Sequence, residues 1–303
     1  GSIWQKEKVS DEFKQAQATF DIRLNSDHTE YYIYRLKSGA NTDGATITIP
    51  DSVDGIPVTR LIDRDLGFSS YNNISKLIIG KNISYIGTKS TISSDETQEL
   101  GDDFFSLATS LTAIEVSLEN TSFSSHNGIL YNKDQTVLLR YPASKTMSNQ
   151  QASHRFVIPN TVILIYEKAF SLNLTLEMIT FGENVETIGD EAFSGCENLV
   201  NVNFNNAPIK SIGTKAFERC HSLDTIVLPT QLEKLGSSVF MGCSQLVEIY
   251  FSNTILEIGR NCFTGCTSLE TIYTDFDFVD QLKVIFAQNN EKFIDYITGT
   301  SRN

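Results

Sequence analysis

The chain is short of basic residues. Twenty-four Lys and Arg stand against 37 Asp and Glu, giving a net charge of −13 over 303 residues. Nucleic-acid phosphates and anionic membrane surfaces both reward Lys and Arg, so neither is expected as a partner. Long apolar runs are also lacking. No stretch of about eighteen apolar residues exists to cross a bilayer as a helix. Cysteine is sparse and odd in number at five, which does not make a small disulfide scaffold in a chain this long. Only four histidines occur, and there is no G-x-S-x-G, no phosphate-cradling glycine loop and no H-E-x-x-H. No leader is visible at "GSIWQKEK", where Gly1-Ser2 reads as a cloning scar, so that absence carries no information. What remains is 40% apolar and 20% charged, enough to build a core.

What the chain has is a repeat. Ile188-Gly189, Ile212-Gly213, Leu235-Gly236 and Ile258-Gly259 align. Phe193, Phe217, Phe240 and Phe263 follow at spacings of 24, 23 and 23, and Cys196, Cys220, Cys243 and Cys266 keep the same spacing. Leu199, Leu223, Leu246 and Leu269 come three residues after each cysteine, and Val202, Ile226, Ile249 and Ile272 three further on. A fixed period of this size means stacked supersecondary units. Eroded copies precede these. "VILIYEKAF" has Tyr166 in the glycine slot, "ISYIG" is separated from Phe105 by about fourteen extra residues, and "VTRLIDRDL" has Leu66 in the Phe slot. A second interruption after Val116 holds two β-rich runs, Ile129 to Tyr131 and Val137 to Tyr141, around the turn tetrad Asn132 to Gln135, which predicts a hairpin.

Each unit has a physical reading. L-x-x-I-x-F is a short strand with its Leu, Ile and last apolar residue inward. Proline after Ile49, Ile158 and Leu228 closes a strand. The glycine after Ile permits a tight turn. Ala-Phe-x-x-Cys reads as a short helical turn on the opposite face.

The unit "IGDEAFSGCENLVNVNF", the start "TITIPDSVDGIPVTRL" and the insert "NGILYNKDQTVLLRYPAS" together resemble the BspA-like family of bacterial leucine-rich repeats, over roughly residues 45 to 275. The resemblance implies an α/β leucine-rich repeat solenoid, curved, with a parallel sheet on its concave face and short helical turns on its convex face. It also implies a secreted or cell-surface protein, with adhesion or binding of a host extracellular protein.

Solenoid ends must be covered. Residues 20–44 read as a capping hairpin around Asn25-Ser26-Asp27, and 279–303 as a capping helix and tail with Val279, Leu282, Ile285 and Phe286 at helical spacing. Residues 1–19 read as a helical linker from a lipid-anchored N-terminus. The solenoid is then 45–278, interrupted at about 89–102 and 118–155.

The cysteines invite two chemical readings, metal ligands and disulfides. Metal sites want ligands at short spacing, whereas these are spaced by the repeat. Equivalent residues sit about 4.8 Å apart on a strand face and about 8–10 Å apart on a helical face, the latter beyond the roughly 7 Å disulfide limit between Cα atoms. A small buried hydrophobe is the reading, and it extends to Cys262, which fills the slot of Ala192, Ala216 and Val239. No metal or cofactor is expected. His28, His126, His154 and His221 do not repeat and have no partner at catalytic spacing.

The third and fifth strand positions point outward. They nominate Asn201, Asn203, Thr225, Glu248, Tyr250, Thr271 and Tyr273 as a partner-binding face. The functional expectation is a non-enzymatic surface protein that binds a protein or glycan. A structural spacer is the alternative, and a hydrolase with its site in the acidic or hairpin insert is a lesser one.

Overall fold

The computed structural model describes residues 8–37, 46–62, 74–87, 104–105, 107–145 and 154–301. The Leu66 slot and the insertion at about 89–102 lie outside them. The chain divides into two compact units, residues 1–127 and 128–303.

In the first unit, helix α1 spans Asp11–Thr19. Its first turn is held by Ser10, whose hydroxyl accepts from Phe13 N at 3.0 Å and donates to Asp54 at 2.6 Å. Phe20–Leu24 then pairs antiparallel with Tyr31–Leu36. The connecting turn is fixed by Asn25 Oδ1, which accepts from the backbone of Thr29 and Glu30. Tyr31–Leu36 also pairs parallel with Ile56–Leu61, which pairs with Tyr85–Ile86. A second set, Thr46–Thr48, Lys76–Ile79 and Ala113–Val116, is parallel throughout.

The second unit is a solenoid with three parallel hydrogen-bonded faces. One is a ladder of very short strands: Val137–Arg140, Leu164–Ile165, Thr187–Ile188, Ser211–Ile212, Lys234–Leu235 and Glu257–Ile258. The hairpin strand Ile129–Asn132 pairs antiparallel with Val137–Arg140 and so leads into that ladder. The L-x-x-I-x-F strands form the second face. Arg155–Val157, Met178–Thr180 and Asn201–Asn203 pair in register, and so do Thr225–Val227, Glu248–Tyr250, Thr271–Asp275 and Ile297–Thr300.

The third face is made of the Ala-Phe-x-x-Cys segments, and these do not develop into helices. Each is a run of tight turns, such as Ala192 N to Gly189 O and Cys196 N to Phe193 O. Two residues per run take left-handed φ, for example Glu191 at 54° and Gly195 at 74°. A left-handed residue cannot continue a right-handed helix. The backbone bonds the next coil instead: Glu191, Phe193 and Gly195 donate to the carbonyls of Thr214, Ala216 and Glu218, and the pattern repeats coil after coil.

Without helices, the coils approach more closely than the helical spacing predicts. The phenylalanine rings stack with centroids 4.6 Å (Phe170–Phe193), 5.0 Å (Phe193–Phe217), 5.8 Å (Phe217–Phe240) and 6.1 Å (Phe240–Phe263) apart. That closeness explains the glycines. Gly236 does not have a left-handed φ. A Cβ there would stand 2.6 Å from Thr214 N and 2.7 Å from Gly213 C. The slot is glycine because two backbones meet, not because the chain must turn.

The ring stack runs past both ends of the clean repeats. Tyr141, from the hairpin, stacks on Phe170 at 5.1 Å. Phe286, from helix α2 (Val279–Asn289), stacks on Phe263 at 5.7 Å and 11°. After α2 the chain passes through a 3-10 segment and adds the strand Ile297–Thr300. Among the described residues no turn run precedes the first one of this unit, and other groups donate to its carbonyls. Tyr141 N serves Ala169 O, and the buried Arg140 guanidinium serves Lys168 O at 2.5 Å and Ser171 O at 3.1 Å. Burial lowers the Arg140 pKa to about 10.

Candidate functional site

All five cysteines are free and buried. Each thiol in the Cys196 ladder donates to a phenylalanine carbonyl of the preceding coil: Cys196 to Phe170, Cys220 to Phe193, Cys243 to Phe217 and Cys266 to Phe240, at 3.1–3.3 Å. Cys262 donates to Gly236 O and Gly259 O. Burial pushes Cys196 and Cys266 up to about 12 and Cys262 up to about 11, and raises Cys220 and Cys243 as well. A thiolate is the nucleophile and the metal ligand, so these groups are set against both roles. In the copy of Phe170 the slot is a buried asparagine. Asn173 accepts from Thr175 N and Leu176 N and donates to Pro142 O.

The histidines do not assemble a site. His154 Nδ1 lies 3.7 Å from Glu177, with both side chains about half exposed on open surface. His221 Nδ1 lies 3.4 Å from Ser244 Oγ. Among the described residues no group of three His, Cys, Asp or Glu is placed to hold a metal ion. None of the described helices is long and apolar enough to cross a membrane.

The seven nominated residues all lie on the outer side of the L-x-x-I-x-F strands. The central residue of each triplet is buried (Val202, Ile226, Ile249 and Ile272) while its neighbours face out. Register makes rows: Thr225, Glu248 and Thr271 in one, Val227, Tyr250 and Tyr273 in the next. Tyr250 and Tyr273 stack on each other with centroids 4.6 Å apart and planes 19° apart. Tyr250 also donates to Glu248 at 3.4 Å.

Asn201 and Asn203 are on the same outer side but not in the same sheet. Their strand pairs only backward, to Met178–Thr180, and the next sheet begins at Thr225. Elsewhere the ladder has a repeating bond, Phe181 N to Asn203 O and Leu228 N to Tyr250 O. Among the described residues the equivalent bond from Phe204 N to Val227 O is missing, as is any bond from Asp224 N or Thr225 N to Val200 O. The cause lies at the corner that follows. Ile212 comes eight positions after Phe204, whereas Ile188 comes seven after Phe181. The longer corner carries two consecutive left-handed asparagines, Asn205 and Asn206. The break opens a shallow cleft of about 410 Å³, lined by these strands and corners.

With this geometry the chain can be set beside known proteins. Residues 143–270 match the BspA type leucine rich repeat region, in six copies. Residues 143–270 of the solenoid are BspA-type leucine-rich repeats. A leucine-rich repeat protein from Eubacterium ventriosum is 26% identical with a TM-score of 0.56, over 76% of this chain and 55% of that one. The chain therefore spans about half the length of that relative. The pneumococcal vaccine antigen PcpA shares the fold at 17% identity and a TM-score of 0.58, over 94% of this chain and 100% of that one. A leucine rich cell surface protein from Faecalibacterium prausnitzii does so at 17% and 0.51, over 94% and 97%. No curated protein matches the chain.

Proposed function

We propose that this chain is a non-enzymatic binding protein of the bacterial cell surface, which holds an extracellular protein partner against the outward rows of its parallel strands. The observation that carries the reading is the stacked pair Tyr250 and Tyr273, presented in register on a regular parallel sheet beside Glu248, Thr225 and Thr271. Such a sheet fixes outward side chains at intervals of about 4.8 Å without spending loop entropy on them. Tyrosine is enriched at the centres of interfaces because it combines a large apolar face with a hydroxyl. The proposal also draws on the BspA-type repeats, a fold that serves as a scaffold for interaction. The PcpA and Faecalibacterium proteins contribute their fold alone.

The test is direct. The purified chain is immobilised and challenged with an arrayed panel of host extracellular proteins, and a saturable partner is taken forward. Tyr250→Ala with Tyr273→Ala is expected to weaken that partner at least tenfold, about 1.4 kcal/mol or more. Unchanged affinity would remove this patch from the reading.

A further inference from the structure

We infer that the cleft at the sheet break is a subsite for a neutral carbohydrate, a role that rests on the reading of the strand face as a binding surface. Its volume of about 410 Å³ lies in the range of small-ligand pockets, roughly 300–1,000 Å³. Its lining is chemically narrow. Asn201, Asn203, Asn205, Asn206 and Thr230 supply polar groups, over apolar groups from Val202, Phe204, Val227, Leu228 and Pro229. No lining residue is charged, in a chain with 61 charged residues. An ionic ligand would find no counter-charge there.

The amides are not all engaged. Asn203 Oδ1 accepts from Asn205 N at 2.9 Å, and Asn205 Nδ2 donates to Phe181 O at 3.2 Å, which fixes the corner. Among the described residues, the Asn201 and Asn206 side chains have no hydrogen-bond partner. Each amide offers two donors and two acceptors. Among the described residues the broken ladder also leaves the Phe204 N donor and the Val227 O acceptor without their ladder bond, and both residues line the cleft. Alternating donors and acceptors over a small apolar floor match a sugar ring, whose hydroxyls both donate and accept and whose C–H faces are apolar. Val227 is 49% exposed at the edge of the cleft and leads by register to Tyr250 and Tyr273, so a longer saccharide could continue along that row.

The test uses maltohexaose, cellohexaose and mannohexaose as probes, with a sulfated heparin hexasaccharide as the anionic comparator, read by calorimetry and by amide chemical shifts of the full chain. At least one neutral hexasaccharide should bind saturably and shift the signals of Asn201, Asn203 and Asn206, and the sulfated one should not. Asn201→Ala with Asn206→Gly should weaken binding at least tenfold, since glycine keeps the left-handed φ of 55° at residue 206. Deleting Asn206 restores the seven-residue corner and should close the ladder and abolish binding with the fold retained. Should that deletion not fold, the double substitution decides. The subsite is overturned if no neutral probe binds, if the double variant binds as the parent does, or if the sulfated probe binds equally well. None of these outcomes touches the protein-partner reading, which stands or falls with Tyr250→Ala and Tyr273→Ala.

Discussion

The step from the coil of Phe193 to the coil of Phe217 is closed on its turn side and open on its strand side. On the turn side the rings lie 5.0 Å apart and 2° from parallel, and three backbone bonds cross the step. On the strand side the ladder stops at Asn203 and resumes at Thr225. One extra residue therefore has opposite consequences on the two sides. The turn side has glycines with backbone against them, stacked rings and thiols bonded to the previous coil, so it has no room to yield. The strand side yields because its outer residues touch solvent. The turns set the rise of the solenoid, and the strand face is where variation can be absorbed.

Alkali should strike the turn side hardest. The thiols there ionise later in the folded chain than in the unfolded one, where a thiol titrates near 8.5. A raised folded value gives stability that is complete below about pH 8.5 and is lost as pH rises toward the folded values, about 11 for Cys262 and about 12 for Cys196 and Cys266. Tyr131 and Tyr141, both raised to about 12 by burial, add to the same trend at higher pH. The urea midpoint should fall clearly between pH 8 and pH 10, and a flat profile would contradict the burial.

Truncating one ring of the stack comes next. Phe217→Ala is expected to cost about 3–5 kcal/mol in denaturant unfolding. Gly236→Ala, which sets a methyl against the backbone of Thr214, should cost about 1–3 kcal/mol. The strand side should respond on a smaller scale. The amides of Phe204 and Thr225 should exchange with solvent on the order of tenfold faster than those of Phe181 and Leu228, since only the second pair has its place in the ladder filled or flanked by a closed step. Thr225→Ala, on the outer face, should change stability by less than about 0.5 kcal/mol. Equal costs on the two sides would erase the distinction between them.

Much of this was legible in the sequence because a period forces equivalent residues into equivalent places. The inward Leu and Ile, the outward pairs and the core role of Cys196 all follow from alignment of the copies. Three things were not legible, each for a physical reason. The Ala-Phe-x-x-Cys segment has helical composition, and only the left-handed residues Glu191 and Gly195 show that backbone bonding between coils wins over helix. That choice also changed the meaning of glycine at 236 from turning to close approach. The spacing of 24 after Phe193 was visible, but its effect depends on which side of the coil can give way. The continuation of the stack was hidden by a change of secondary structure. Phe286 stands 23 residues after Phe263, the repeat period, yet helical spacing in α2 was the stronger pattern around it. For the candidate site, the outward rows could be read from alternation alone. The cleft beside them could not, since it arises from a missing pairing rather than from any residue type.

The place of Phe286 also makes the solenoid adjustable in length. Because the closing helix offers the next ring of the stack at the usual interval, it meets its neighbour as any further coil would. A chain from which one whole 23-residue coil has been excised, for instance residues 240–262, would bring Phe286 onto Phe263 through an unchanged join, since Phe263 then follows Phe217. Excision of 20 or 26 residues would not. Helix α2 thus closes the ring stack as an interchangeable coil would, whatever the number of coils before it.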